Sequence, residues 1–262
     1  MRILSVNTHH PDKKYAPHFS SCVKIYNPKR VTNLDIFAKD RVRTTSGPFR
    51  QDHDWDNLLR YIFWNFEGER KVNISSLACA DGSEPLSYAL YLYDKTPKNY
   101  YAKFRITASD IDPEMVKVAK SGRINLSDED FKNIEKYIKN PHRYFNDLDK
   151  PVKITNNIDS DRYSYKIDSD VHSLIQFKKS DILTEVKKLT PEEFYVLNIK
   201  NVFPYLKENY INEVLEIMAK KLKSGSIFVY GKFDLLVPNF KNRLLDLGFF
   251  EPKQSECFIQ KI

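Results

Sequence analysis

Glycine and cysteine are scarce in this sequence. Only 7 glycines stand among 262 residues, against 13 prolines, which excludes a collagen-like repeat or a glycine-rich linker protein. The three cysteines, Cys22, Cys79 and Cys257, are odd in number and scattered. They make neither a disulfide framework nor a metal-ligand spacing, and a reducing cytoplasm is the expected compartment. No apolar run approaches the ~18–20 residues of a membrane span. The start, Met1 to Asn7, has too short an apolar stretch for a secretory signal. Internal repeats and low-complexity segments are absent. His9, His10 and His18 have no carboxylate or cysteine set around them, so they are read as polar surface and no metal site is expected.

What is present is ordinary for a globular protein: 41% hydrophobic and 29% charged residues. The length suits one large domain or two small ones. Such a chain buries roughly 70–75% of its unfolded surface and needs no staple. The net charge of +7 favours acidic partners, whether nucleic acid, an acidic protein face or an anionic cofactor. The lysines are dispersed rather than clustered, which leaves nucleic acid the weaker alternative.

Residues 1–43 show no sustained periodicity and are punctuated by Pro11, Pro17 and Pro28, so an irregular arm is expected there. A helix follows, with Trp55, Leu58, Leu59, Ile62 and Phe63 on one face. From residue 72 strands and helices alternate. Val72 to Cys79 reads as a strand, which makes the glycosylation-like Asn73-Ile74-Ser75 buried and irrelevant. A turn at Asp81-Gly82 leads to a helix with Leu86, Ala89, Leu90 and Tyr93 at helical spacing. Phe104 to Ser109 is a second strand, and its helix opens with Asp112 as N-cap and Pro113 in the first helical position. Residues 123–173 are polar, with Tyr163, Tyr165 and Ile167 at period two, and read as an insertion or loop-rich link. Strands resume at 174–177, 194–199 and 226–230. An amphipathic helix carrying Ile211, Val214, Leu215, Met218 and Leu222 precedes the last of these, and a strand pair closes the sequence. The alternation predicts an α/β fold with a doubly wound, mainly parallel sheet. Ligands of such sheets sit beyond the carboxyl ends of the strands, near the point where strand order reverses.

Polar residues gather at those ends. Ala80-Asp81-Gly82-Ser83-Glu84 follows the first strand, and its glycine is expected to let a ligand approach the backbone. Glu84 either compensates the helix dipole or faces a cationic ligand group. Asp110 and Asp112 follow the second strand; one can accept from ribose hydroxyls while the other caps the helix. Asp181 and Ile182 follow the third, offering a polar edge and an apolar wall. Lys200-Asn201-Val202-Phe203-Pro204-Tyr205 follows the fourth.

In order, these blocks resemble one family. Leu77-Ala78-Cys79-Ala80-Asp81-Gly82-Ser83-Glu84-Pro85-Leu86-Ser87 resembles the C-S-T-G-E-E-P-Y-S element of chemotaxis receptor methyltransferases of the CheR type. Ala108-Ser109-Asp110-Ile111-Asp112, running on to Ala119-Lys120-Ser121-Gly122 and Leu126-Ser127, is similar to that family's A-S-D-I-D … A-R-S-G-x-Y-x-L-S. Phe194 to Leu206 resembles its F-D-x-I-x-C-R-N-V-x-I-Y-F, and Thr44 to Asp52 its T-x-F-F-R-D. Leu222 to Ser226 fits its L-x-P-G-G. Departures from the pattern are Ser83 for the first acidic residue, Lys200 for arginine, and Tyr230-Gly231-Lys232-Phe233-Asp234 where the family has G-x-S-E. An irregular arm is expected where the family has its N-terminal helical domain.

The resemblance implies a class I, Rossmann-like methyltransferase domain over 44–262, with a seven-stranded sheet ending in an antiparallel strand, and S-adenosylmethionine as cofactor. It implies that Glu84 meets the methionine amine, Asp110 the ribose, and Asp181 with Ile182 the adenine, with Ala80, Gly82 and Ile111 lining the same pocket. Asn201 would stand near the sulfonium. Thr45 and Arg50 would close over the cofactor, with Arg50 and Tyr205 nearest the methyl acceptor. The implied partner is a protein with an accessible glutamate carboxylate. Two alternatives stay open: methylation of nucleic acid or a small molecule (Asn201 to Tyr205 loosely resembles the N-P-P-Y of amino-methylating enzymes, one residue too long), and a cofactor-binding interaction module without turnover.

Overall fold

After helix α1 (Trp55–Asn65) the chain runs through β1 (Val72–Leu77), α2 (Ser83–Lys95), a short α3 (Lys98–Tyr101), β2 (Phe104–Asp110) and α4 (Pro113–Ser121). Then come β3 (Arg123–Leu126), α5 (Asp128–Glu135), β4 (Phe145–Asp147) and β5 (Tyr163–Ile167). The series continues with α6 (Ser169–Ser173), β6 (Ile175–Lys179), α7 (Ile182–Lys187), β7 (Phe194–Ile199), α8 (Glu208–Lys221) and β8 (Ile227–Val229). It closes with α9 (Phe240–Asp246), β9 (Phe249–Phe250) and β10 (Phe258–Lys261). This computed structural model describes residues 47–51, 54–147, 163–253, 255 and 257–262. The arm with His9, His10, His18 and Cys22, and Thr45, lie outside the described residues.

The main sheet has seven strands in the order β6-β2-β1-β7-β8-β10-β9. The first five are parallel, and β10 runs antiparallel to both β8 and β9. This is the expected doubly wound sheet with its terminal antiparallel strand. All six residues of β1 are buried, as befits a central parallel strand covered on both faces. Leu77 of β1 stands beside Ser109 of β2 on one side and Ile199 of β7 on the other. Three strand ends therefore form one row. The winding reverses between β1 and β7, which opens the ligand crevice beyond that row.

Two apolar layers sandwich the sheet. One gathers Trp55, Leu58, Leu59 and Ile62 of α1 with Leu86, Ala89 and Leu90 of α2. The other gathers Ile211, Val214, Leu215 and Met218 of α8 with Phe240 and Leu244 of α9. Phe63 is half-buried, beside the buried face of α1, and its ring meets Tyr91, Tyr100 and Phe104. Helix α4 starts as its sequence dictates, with the Asp112 carboxylate accepting from the Glu114 amide at 2.8 Å and Pro113 behind it. It stops at Gly122, whose φ of 64° suits glycine.

Between α4 and β6 lies a second, antiparallel sheet in the order β3-β5-β4. Tyr163, Tyr165 and Ile167, the residues at period two, lie on β5. The rings of Phe131, Phe145 and Tyr165 meet edge to face behind it. Helix α5 is fixed by a capping box between Ser127 and Asp130.

Candidate cofactor site

The turn leaving β1 is strained. Ala78 and Ala80 adopt φ of 58° and 49°, and Gly82 follows at 86°. Left-handed backbone costs an alanine about 1–2 kcal/mol, so neighbours must hold this turn. The Ala80 amide donates to Asp110 Oδ2 at 2.8 Å, and the Cys79 amide to the Ser109 carbonyl at 3.0 Å. Gly82 has a different reason from the one its sequence context suggested. A Cβ there would come within 2.9 Å of the Phe177 ring and 3.1 Å of Ala119 Cβ. The bare side thus faces the core, and glycine is required by its φ and by packing.

Asp110 is the hinge of this corner. Its other oxygen accepts from the Asp112 amide at 2.8 Å, while its carbonyl accepts from the Ser180 amide at 3.0 Å. Only 7% of the residue is exposed. Burial pushes its carboxyl above the ordinary aspartate value, against the pull of these amides. Next to it Ile111 leaves 39% of its surface in solvent, an apolar side chain at the carboxyl end of β2.

Glu84 sits in the first turn of α2. Its Oε1 accepts from the Ser76 hydroxyl at 2.8 Å, and its Oε2 lies 3.2 Å from Lys200 Nζ. The lysine side chain is only 3% exposed and stands 5.2 Å from the centre of the Trp55 ring. The Trp55 indole N–H in turn donates to the Arg50 carbonyl at 3.0 Å. Phe49, fully buried, stacks on Tyr137 and donates its amide to Ser87 Oγ at 2.8 Å. A strap formed by residues 47–50 is thereby tied to α1 through Trp55 and to α2 through Ser87, and its Arg50 is half-buried.

Beyond β7 the chain turns at Asn201, whose φ is 58°. Its Oδ1 accepts from the Phe233 amide at 3.0 Å, so the turns after β7 and β8 are tied. Asp234 ties them again, accepting from the amides of Asn201, Val202, Phe203 and Gly231 at 2.7–3.0 Å. Tyr205 is half-buried against the α8 layer.

Asp181 and Ile182 are placed differently from the other site residues. The Asp181 carboxylate accepts from the Thr184 amide at 2.9 Å and hydroxyl at 2.7 Å, capping α7. Burial pushes it up, but these donors outweigh burial and hold it below its ordinary value. Ile182 is buried in the α8 layer. That layer also holds Leu77 at the end of β1, and the Ser180 amide just before Asp181 is tied to the Asp110 carbonyl. Sequence reasoning passed over Trp55 as a site element, Lys200 as the partner of Glu84, and Asp234. The one available signal was Asp234 itself, which stands where the family motif carries glutamate.

A family model described as "CheR methyltransferase, SAM binding domain" matches residues 44–247. The chain belongs to this family. CheR-type proteins are S-adenosylmethionine-dependent methyltransferases, and S-adenosylmethionine is the cofactor of the matched domain. The chain is 23% identical to "Chemotaxis protein methyltransferase" of Listeria monocytogenes over 208 residues, 78% of this chain and 71% of that protein. It is 32% identical to "Probable chemotaxis protein methyltransferase" of Rhizobium etli over 83 residues, which span 31% of that protein's length and 30% of this chain. Among solved structures, a TehB-like SAM-dependent methyltransferase from Corynebacterium glutamicum aligns over 79% of this chain and 91% of its own, with 13% identity and a TM-score of 0.38. Among the described residues no helix of this CheR-type chain is long and apolar enough to cross a membrane.

Proposed function

We propose that the chain transfers a methyl group from S-adenosylmethionine to a carboxylate oxygen on a protein, with the cofactor lying across the carboxyl ends of β2, β1 and β7. The observation that carries this reading is the Asp110 clasp, a buried carboxylate that shapes the strained Ala78–Gly82 turn beside the reversal of strand order. Each carboxylate oxygen has two lone pairs, so Asp110 can hold those amides and still accept from ribose hydroxyls. Exposed Ile111 supplies an apolar face for the adenine, and the chain at Ser180–Ile182 its polar edge. Glu84 offers its carboxylate to the methionine ammonium, and Ala80 and Gly82 line the turn between them. The donor set therefore fits a zwitterionic nucleoside sulfonium.

When bound, the cofactor supplies a methyl carbon whose bond to sulfur breaks as an oxygen attacks from the opposite side. The chain's own work is to orient and to exclude water. An acceptor carboxylate is already ionised at pH 7, so no general base is required. Arg50 grips that carboxylate in a two-point fork, and Tyr205 presents a ring and hydroxyl to the cation. Asn201 walls the sulfur end. Positioning of this kind lowers barriers by several kcal/mol, with ~7–11 kcal/mol as the upper range. The relatives named chemotaxis protein methyltransferases support a protein carboxylate, glutamate above all, as the acceptor.

Titration calorimetry with S-adenosylhomocysteine tests the site. Asp110→Ala is expected to lose at least ~30-fold in affinity, about 2 kcal/mol or more, because a charge-assisted contact and the turn it holds go together. Unchanged binding would overturn the assignment. Arg50→Ala should keep most of the affinity and lose transfer. Labelling a host lysate with methyl-tritiated cofactor should give protein-bound label that mild base releases, as an ester requires. Base-stable label, or label on nucleic acid with steeply salt-dependent binding, would replace the carboxylate acceptor with the alternative.

A further inference from the structure

The only carboxylate in the turn after β8, Asp234, is fully buried. Its Oδ2 accepts from the Asn201 amide at 2.7 Å and the Gly231 amide at 2.8 Å. Its Oδ1 accepts from the Val202 and Phe203 amides, each at 3.0 Å. Among the described residues no cation pairs with it. An isolated buried charge is costly, and here four backbone dipoles stand in for a counter-ion. Burial still pushes the carboxyl up to about 7. The return contact, Phe233 amide to Asn201 Oδ1, closes the stitch. Gly231 completes it, since any Cβ there would overlap the Asn201 carboxamide. Three amides in a row (201, 202 and 203) aimed at one acceptor form a nest that an anion must fill. The chain fills it with its own side chain.

We infer that Asp234 is a positioning residue of the methyl-transfer site: by gathering the amides of Asn201, Val202, Phe203 and Gly231 it sets where Lys200, Asn201 and Tyr205 stand at the sulfur end of the cofactor. This rests on the placement of the cofactor given above. It touches none of the reacting atoms. The nest fixes the turn that begins one residue after Lys200, and Lys200 is the ion-pair partner of Glu84. The adenosine half, in contrast, is held in that placement from the ends of β1, β2 and β6 and owes Asp234 nothing.

The two halves can be separated with two ligands on the full chain. S-adenosylhomocysteine carries both ends, and adenosine carries only one. Asp234→Asn places an amide donor among four donors. It is expected to weaken S-adenosylhomocysteine at least ~tenfold while adenosine stays within ~twofold. Asp234→Glu, which keeps the charge and restores the residue of the family motif, is expected to recover most of the loss. A variant that weakens both ligands alike, or neither, overturns the inference. If Asp110→Ala leaves adenosine binding intact, the cofactor placement itself has failed instead. Should Asp234→Asn not fold, hydrogen exchange on the unaltered protein decides: S-adenosylhomocysteine must slow the amides of residues 201–203 at least ~tenfold and adenosine must not. Equal slowing by both, or none by either, overturns the inference.

Discussion

Gly231 has no room for a methyl group, because the Asn201 carboxamide already fills the place of its Cβ. Its φ of −95° is one any residue adopts, so crowding alone makes it a glycine. Gly231→Ala is expected to cost about 1–3 kcal/mol, the usual toll of overpacking. For a chain of this size each kcal/mol lowers Tm by roughly 2–4 °C, so scanning calorimetry should show a drop of several degrees; an unchanged Tm would mean the two turns do not meet as described. Residue by residue, the sequence was uneven in what it disclosed. Asp110, Asp112 and Glu84 could be named because they follow strands at positions where carboxylates have chemistry to do. Asp234 offered only its place in the family motif, since its partners are backbone amides, and no side-chain pattern encodes where amides will point. The sequence context of Gly82 suggests a ligand-facing role, while its need for glycine comes from its φ of 86° and from Phe177 on the opposite side.

Elements meet at the Glu84–Lys200 pair, which joins α2 to the end of β7. Removing one partner of a buried pair leaves the other uncompensated, at about 3–5 kcal/mol when fully buried. Glu84 keeps 17% of its side chain exposed, so Lys200→Met should cost less, about 2 kcal/mol. The ligand response then changes direction in an informative way. Glu84 would lack a cation until the methionine ammonium arrives, and S-adenosylhomocysteine should raise the Tm of Lys200→Met more than that of the unaltered chain. Equal shifts would remove Glu84 from the amine. Helices α1, α2, α4 and α8 and the long parallel strands were legible from periodicity and caps, whereas α3, α5, α6, α7 and α9 are too short to show a full apolar face. The small β3-β5-β4 sheet was not: residues 123–173 read as an insertion or loop-rich link, because β3 has 4 residues and β4 has 3, too few for an alternation to show, and the period-two Tyr163, Tyr165 and Ile167 of β5 stood alone.

Acidity acts on the whole molecule in two opposed ways. Burial pushes Asp94, Asp181 and Glu185 up, but their hydrogen-bond donors outweigh it and hold all three low. Their folded values lie below their unfolded ones, so their stabilisation is present above the unfolded value and lost as pH falls through the folded one. Asp234, raised to about 7, and Asp110, also raised, work in the other sense. Their contribution is full below the unfolded value near 4 and disappears as pH rises through the folded one. Tm is therefore expected to climb from strong acid to about pH 4–5 and to decline toward pH 7. Asp234→Asn should flatten the second limb and leave the first intact; a decline of the same steepness in that variant would show that Asp234 does not titrate there.

The position of β10 sets the timing of assembly. It lies between β8 and β9 although it follows both in the chain, and β9 meets the rest of the sheet only through it. During synthesis the parallel strands can associate as they leave the ribosome, but β9 must wait, half-paired with nothing, until residues 258–261 emerge and slot in beside β8. Nascent chains stalled short of that point should remain protease-sensitive on the β8 side while the β1–β2 side is already resistant.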